Sequence, residues 1–350
     1  MPDVAFATSG STGPPVTWLR TEAQLHTEAA LVREAVLGPA RFGRVVSYAP
    51  PEHLYGRLYS RELPRVEGVP VTGLWDRPLA LPPLDDGVPT LLVCLPATWQ
   101  LLARHLPALA RHGRVTALHS TGPTTPAAHR VTSHLAGTGF RAFELLGSTE
   151  TGAVAHRPVA AGQHDALPWT LLPDVEVPHD VEPPPGAATD GDPADGDGAA
   201  RRLRITSPRL ARREGAEAAP DDWELPDLVA PVGPRTFHHL GRASRLIKVN
   251  GLRCDLARVE ELARARCPGV DLVCAPVGDP VRGEHYEMFY AGPRPADPAD
   301  LRRMLGRLPS GLPAPRAVHR VARIPRSATG KVLTAELTAA RPPAEEPEHV

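Results

Sequence analysis

Between Arg44 and Leu145 the sequence repeats one pattern, and that repetition limits the fold more than any other feature. Short apolar or β-branched runs lie at Arg44 to Tyr48, Thr90 to Leu95, Arg114 to His119 and Phe140 to Leu145, each bounded by turn residues. Runs of this kind mark strands buried on both faces of a parallel sheet. Stretches with helical rhythm alternate with them or precede them: Leu25 to Leu37, Trp99 to His112 and Pro126 to Gly137. Strand and helix in alternation predict an open α/β sheet. Proline tightens the constraint, because 42 of the 350 residues are proline. Each one removes an amide donor and fixes a dihedral, so the regular elements must be short enough to fit between them. The longest apolar segments, such as Thr90 to Pro96, are far too short to cross a bilayer.

The flanking regions read differently. VAFATSGSTGPPVTW, at the start, predicts a strand entering a polar, glycine-containing loop. After Gly152, Trp169 to Val175 and Arg202 to Ile205 predict strands of a small twisted β region. The stretch between them, Asp174 to Ala200, holds eight acidic residues, five prolines and no lysine or arginine. It has too little apolar surface to fold compactly and predicts a flexible insertion. A calcium loop is a poor reading of its DGDPADGDG, which lacks the EF-hand order and its terminal glutamate.

Past Gly241 come a helix over Leu256 to Arg266, strands at Val270 to Val277 and Tyr286 to Ala291, and a helix over Pro298 to Leu308. A strand at Ala317 to Val321 and a helix beginning near Val332 complete the pattern. The chain thus divides into residues 1–240 and a small α+β domain of residues 241–350. A net charge of -1 gives no overall footprint for nucleic acid. Four cysteines without CxxC pairing and a start without an apolar leader predict a cytoplasmic protein with reduced thiols.

Four constellations bear chemistry. TSGSTGPP, Thr8 to Pro15, interleaves hydroxyls with Gly10 and Gly13. Its amides and hydroxyls suit an anion, and it is equally an ordinary turn; it is not a Walker A loop, since no Gly-Lys-Ser/Thr follows. LGSTETG, Leu146 to Gly152, follows a strand directly. Glu150 there can hold magnesium beside phosphates, or Ser148 or Thr149 can cap a helix that Glu150 favours. HLGRASRLIKVNGLRCDLARVE, His239 to Glu260, gathers Arg242, Arg245, Lys248 and Arg253 at the domain junction, as a binding hinge or a solvated surface. RIPRSATGKVLTAEL places Lys331 at the start of a helical pattern, where the helix dipole disfavours a cation.

In this order, the motifs resemble the adenylate-forming superfamily of acyl-CoA synthetases, nonribosomal-peptide adenylation domains and luciferases. The resemblance spans residues 8 to 337. It implies a truncated adenylate-forming fold: an open α/β sheet with a small twisted β region, then a mobile α+β C-terminal domain. It implies ATP- and Mg2+-dependent activation of a small carboxylic acid to an acyl-adenylate. The acyl group would pass to an acyl carrier protein, to coenzyme A or, alternatively, to an amine. A tailoring step in specialised metabolism, such as antibiotic biosynthesis, suits the Pro, Ala and Arg usage by association; a non-catalytic binding protein that keeps the fold is the other reading.

By the same resemblance, Thr8, Ser9, Gly10, Ser11, Thr12 and Gly13 would hold the β- and γ-phosphates. Gly147, Ser148 and Thr149 would line the adenine and α-phosphate side, with Glu150 as metal ligand. Asp227 would accept from the ribose hydroxyls with help from Arg242. Lys331 would meet the charge developing between carboxylate and α-phosphate, and Lys248 would serve the thiol-transfer conformation. His53, in PPEHLYG, resembles a motif beside the acyl pocket and reads equally as a packed loop residue. Ser120, Thr121 and Gly122 resemble the floor of that pocket.

Four departures accompany the likeness. Family members carry a long region before the phosphate loop, which here begins at residue 8. The expectation is a minimal enzyme, or one whose missing wall comes from a second chain or from a homodimer partner. Val16 replaces the usual loop lysine, Leu146 the usual aromatic, and Ser244 the usual aspartate or lysine of the hinge.

Overall fold

The computed structural model describes residues 3–8, 16–39, 41–84, 87–112, 114–122, 124–160, 167–178, 200–242, 245–249, 252–267, 269–279, 283–292, 313–327, 330 and 332–339. Contacts divide the chain into two compact units. One comprises residues 1–225, 229–239 and 328–331; the other comprises 226–228, 240–327 and 332–350.

The predicted alternation forms the heart of a ten-stranded sheet. Strands β3 (Arg44–Ser47), β4 (Val71–Gly73), β5 (Thr90–Cys94), β6 (Val115–His119) and β7 (Arg141–Ser148) run parallel, in the spatial order β4-β3-β5-β6-β7. Side chains on a strand alternate between faces, and the two cores follow that rule. Leu91, Val93 and Leu118 enter one apolar cluster, while Leu92, Cys94 and Ala117 enter the other. Every residue of β5 and β6 is buried, as expected where both sheet faces are covered.

At β7 the polarity reverses. The strands β8 (Gly152–Pro158), β9 (Trp169–Leu171), β10 (Arg201–Ile205), β12 (Trp223–Gly233) and β13 (Thr236–Arg242) continue the same sheet in the order β8-β9-β13-β12-β10. A smaller sheet joins β1 (Asp3–Thr8), β2 (Val16–Thr21) and β11 (Arg212–Arg213), with β2 in the middle.

Helix α1 (Glu22–Val32) starts earlier than its hydrophobic rhythm predicts. Thr21 and Gln24 form a reciprocal capping box that satisfies two orphan amide ends. The helix α2 (Leu54–Arg57) is a single turn, followed by a π-helical segment and α3 (Leu63–Glu67). The helix expected over Trp99 to His112 is two helices, α4 (Thr98–Leu102) and α5 (Leu106–His112). Pro107 explains the break, since its ring nitrogen has no proton for the carbonyl one turn back and its ring crowds that carbonyl. Helix α6 (Pro126–His134) is capped by Thr125, whose hydroxyl accepts from the Ala128 amide.

The second unit builds a five-stranded sheet. Its strands are β14 (Leu246–Val249), β15 (Leu252–Asp255), β16 (Asp271–Asp279), β17 (Gly283–Ala291) and β18 (Ala317–Arg320). Helix α7 (Leu256–Arg266) spans the residues the sequence predicts and is capped by Asp255, and α8 (Thr334–Ala339) follows later. The helix expected over Pro298 to Leu308 and most of the acidic insertion lie outside the described residues. All four cysteines are free thiols. No helix among the described residues is long and apolar enough to cross a membrane.

Candidate functional site

Ligands of open α/β sheets bind beyond the carboxyl ends of the parallel strands, and two of the predicted segments leave β6 and β7 there. LGSTETG closes a hairpin between β7 and the antiparallel β8, so the helix-capping reading of Ser148 and Thr149 does not hold. Gly147 and Gly152 are glycines for steric reasons. A Cβ on Gly147 would lie 2.1 Å from the Gly152 carbonyl oxygen, and Gly152 has φ +70°. The Thr151 hydroxyl receives the Ser148 amide proton at 3.1 Å and donates to the Gly152 carbonyl at 2.8 Å. The Glu150 carbonyl accepts from the Ala211 amide at 2.8 Å.

Beneath this turn lies a cluster of charges that sequence reasoning missed. Glu28 of α1 is fully buried, and its carboxylate accepts the Ala153 amide at 2.7 Å. Arg20 and Arg209 each place a guanidinium nitrogen 3.0 Å from the same carboxylate. Arg209 also donates to both oxygens of Asp174 and to the Ala153 carbonyl, and Arg20 reaches the Thr149 carbonyl at 3.4 Å. Burial lowers the Arg20 pKa; it opposes Arg209 as well, but Glu28 and Asp174 outweigh it and raise the latter. Two cations and two carboxylates balance, as burial demands. One signal was present in the sequence: Leu25, Glu28, Ala29 and Val32 form the buried stripe of α1, so a carboxylate occupies a core position.

A neutral relay holds residues 120–122 of the loop after β6. The Trp99 indole can only donate, and it gives its proton to His119 Nδ1 at 3.0 Å. His119 therefore carries its own proton on Nε2 and donates it to the Gly122 carbonyl at 2.9 Å. Between them Thr121 sits at φ +75°, a left-handed conformation that costs a β-branched residue strain. Ser120 donates to the Leu145 carbonyl of β7 at 3.1 Å, and Glu144 of β7 accepts the Thr124 amide at 3.0 Å.

His53 is half-buried at the start of α2, with its amide donating to the Pro50 carbonyl at 3.3 Å. The next residue but one ties this segment to the strand ends: Tyr55 donates its phenolic proton toward the carbonyls of Leu118, at 2.7 Å, and Cys94, at 3.3 Å. Burial pushes the Tyr55 phenol well up, so it stays a neutral donor. Gly56 is required because a Cβ there would lie 1.9 Å from the Pro50 carbonyl oxygen.

Thr8 is the last paired residue of β1, opposite Val16 of β2, so the segment it opens joins two antiparallel strands. Ser9, Gly10, Ser11, Thr12, Gly13, Ser244 and Lys331 lie outside the described residues. Asp227 is buried on β12, on the same strand face as Leu225 and Val229, and its carboxylate lies 3.6 Å from Arg242 at the end of β13. Lys248 pairs with Arg253 across β14 and β15. Among the described residues no group of three or more His, Cys, Asp or Glu side chains gathers to hold a metal by itself. A lone carboxylate in a hydroxyl-rich turn suits a magnesium ion that arrives with phosphates, because that ion takes one or two carboxylates beside phosphate oxygens.

No protein-family profile matches the chain. It is 26% identical over 314 residues to a 4-coumarate–CoA ligase of Rhodobacter capsulatus, covering 89% of this chain and 68% of that one. Superposed on ATP-bound MatB of Rhodopseudomonas palustris, it gives a TM-score of 0.71 at 18% identity, covering 95% of this chain and 67% of the other. The amide bond synthetase McbA of Marinactinospora thermotolerans gives 0.70 at 19% identity, with 96% and 68% covered. The chain therefore has the fold of the adenylate-forming superfamily, over about two thirds of the length of these proteins.

Proposed function

We propose that the protein is an ATP- and magnesium-dependent ligase that adenylates a small carboxylic acid and transfers the acyl group to a thiol. One observation carries the reading. Arg20 of β2, the strand that follows residues 9–15, reaches the Thr149 carbonyl of the turn bearing Glu150 at 3.4 Å, which supports reading the two segments as parts of one phosphate site.

In the first half-reaction, a carboxylate oxygen bonds to the α-phosphorus while the bond to pyrophosphate breaks. The hydroxyls and amides of residues 8–13 hold the outgoing phosphates, and Glu150 supplies a ligand for magnesium. Magnesium bound there neutralises phosphate charge. Asp227, oriented by Arg242, accepts from the ribose. Lys331 places a cation where the attacking and leaving oxygens concentrate negative charge. The loop of Ser120, Thr121 and Gly122 and the segment of His53 face the acid. In the second half-reaction a thiolate attacks the acyl carbon and AMP leaves. The thiol is that of coenzyme A or of a carrier-protein phosphopantetheine; the relative named above as a CoA ligase favours a thiol over an amine. Residues 241–350 serve as the lid for the transfer step.

The test is pyrophosphate release from MgATP across a panel of small aromatic and aliphatic acids. Acid-dependent release supports the reading. No release with any acid overturns it, and an absence of MgATP binding by calorimetry as well would point to a non-catalytic binding protein.

A further inference from the structure

We infer that the buried cluster of Arg20, Glu28 and Arg209 is a positioning device for MgATP, fixing the turn that bears Glu150 to the strand leaving the phosphate loop. The inference rests on the functional reading above and deepens it.

Three observations support it. First, the cluster touches the turn at its backbone. Glu28 accepts the Ala153 amide, Arg209 donates to the Ala153 carbonyl, and Arg20 reaches the Thr149 carbonyl. A Cβ on Gly152 would lie 2.1 Å from Glu28 Oε2, so the carboxylate packs directly against the chain at the hairpin's exit. Second, the cluster joins separate parts of the sequence: Arg20 from β2, Glu28 from α1, Arg209 from the segment before β11, and Asp174 from the loop after β9. Third, the cluster is buried at a cost. Charges buried this deeply lose hydration that a packed apolar set would not need, and a role in fixing geometry would offset that cost. The spacing they hold lies between a metal carboxylate on the turn and the strand that follows the phosphate donors. A carboxylate that binds metal through phosphates gains from such support, since partners behind a ligand commonly change metal affinity by about 10- to 100-fold.

The experiment uses the full chain and Glu28→Gln, which keeps the shape and removes the charge. In the ligand-free protein, hydrogen exchange at residues 146–153 should quicken by about tenfold or more relative to the parallel strands β5 and β6. Calorimetry should show MgATP binding weakened by about tenfold, while Glu28→Gln placed on Glu150→Ala should cost less than about twofold more. Such non-additivity is what a merely structural residue would not produce. Additive losses, or binding by folded Glu28→Gln within about twofold of the parent, overturn the inference. If Glu28→Gln does not fold, Asp174→Asn leaves the inner three side chains in place. It should weaken MgATP binding by about threefold with the same non-additivity, and an unchanged affinity overturns the inference. A parent protein that binds no MgATP overturns the functional reading and this inference together. A parent that binds MgATP without acid-dependent pyrophosphate release overturns the reading alone, and the binding cycle still decides the inference.

Discussion

The loop after β6 and the turn after β7 leave neighbouring parallel strands, yet the chain braces them with different chemistry. Ser120 to Gly122 rests on a neutral relay from Trp99 through His119, with strain accepted at Thr121. Gly147 to Gly152 rests on buried charges, with strain relieved by glycine. A neutral relay can tolerate a neutral substitute. A buried charge cluster cannot lose one member without stranding another, so the carboxyl ends of neighbouring strands hold one forgiving loop and one unforgiving turn.

The largest expected effect breaks the unforgiving side. Arg209→Ala removes one cation from Glu28 and the principal partner from Asp174, and should cost about 3–5 kcal/mol in urea unfolding. A cost below about 1 kcal/mol would show that the cluster relaxes or admits water, and the contrast would fail. His119→Ala should cost less, about 1–3 kcal/mol, through an unpartnered indole and carbonyl. His119→Gln, which can accept from Trp99 and donate to Gly122, should recover most of that loss. If Gln is no better than Ala, the relay is not what holds the loop.

A smaller effect is expected at Thr121. Glycine there removes side-chain strain at φ +75° and adds unfolded-chain entropy, so Thr121→Gly should stabilise by about 1 kcal/mol or less. On the proposed role of Ser120 to Gly122 as the floor of the acid pocket, the half-saturating acid concentration should rise at the same time, because that floor would lose a side chain. The smallest effect concerns acid stability. Burial of His156 on β8 lowers its pKa, so the unfolded chain binds its proton first as pH falls. The contribution is present above the ordinary value near 6.5 and is lost as pH falls through the lowered folded value. Urea midpoints measured from pH 7.5 down to 5 should show a shallower decline in His156→Leu than in the parent. Equal slopes would assign the acid sensitivity to other groups.

The sequence carried the parallel half of the sheet because fully buried strands are written as unbroken apolar runs such as TLLVC. It carried the antiparallel half poorly. In β12, Pro226, Asp227 and Pro231 interrupt any simple pattern, and Asp227 is buried where alternation predicts an apolar side chain. The resemblance singled it out as a candidate ribose acceptor when its strand was not legible. LGSTETG was likewise found as a motif, while its conformation was open because hydroxyls and an acid suit a helix cap and a hairpin turn alike. His119 and Trp99 were invisible, since their partnership depends on strand ends brought together only by folding. Glu28 was readable in principle, as a carboxylate on the apolar stripe of an otherwise regular helix. Its partners were not, because they come from distant parts of the chain.

The claim that unites both loops is acid-dependent adenylation, and ATP–pyrophosphate isotope exchange tests it most directly. With MgATP and an accepted acid, the parent protein should exchange label, and Lys331→Ala should exchange about 100- to 1000-fold more slowly at an unchanged unfolding midpoint. Exchange that continues undiminished in Lys331→Ala, or that is absent from the parent with every acid, would contradict the account.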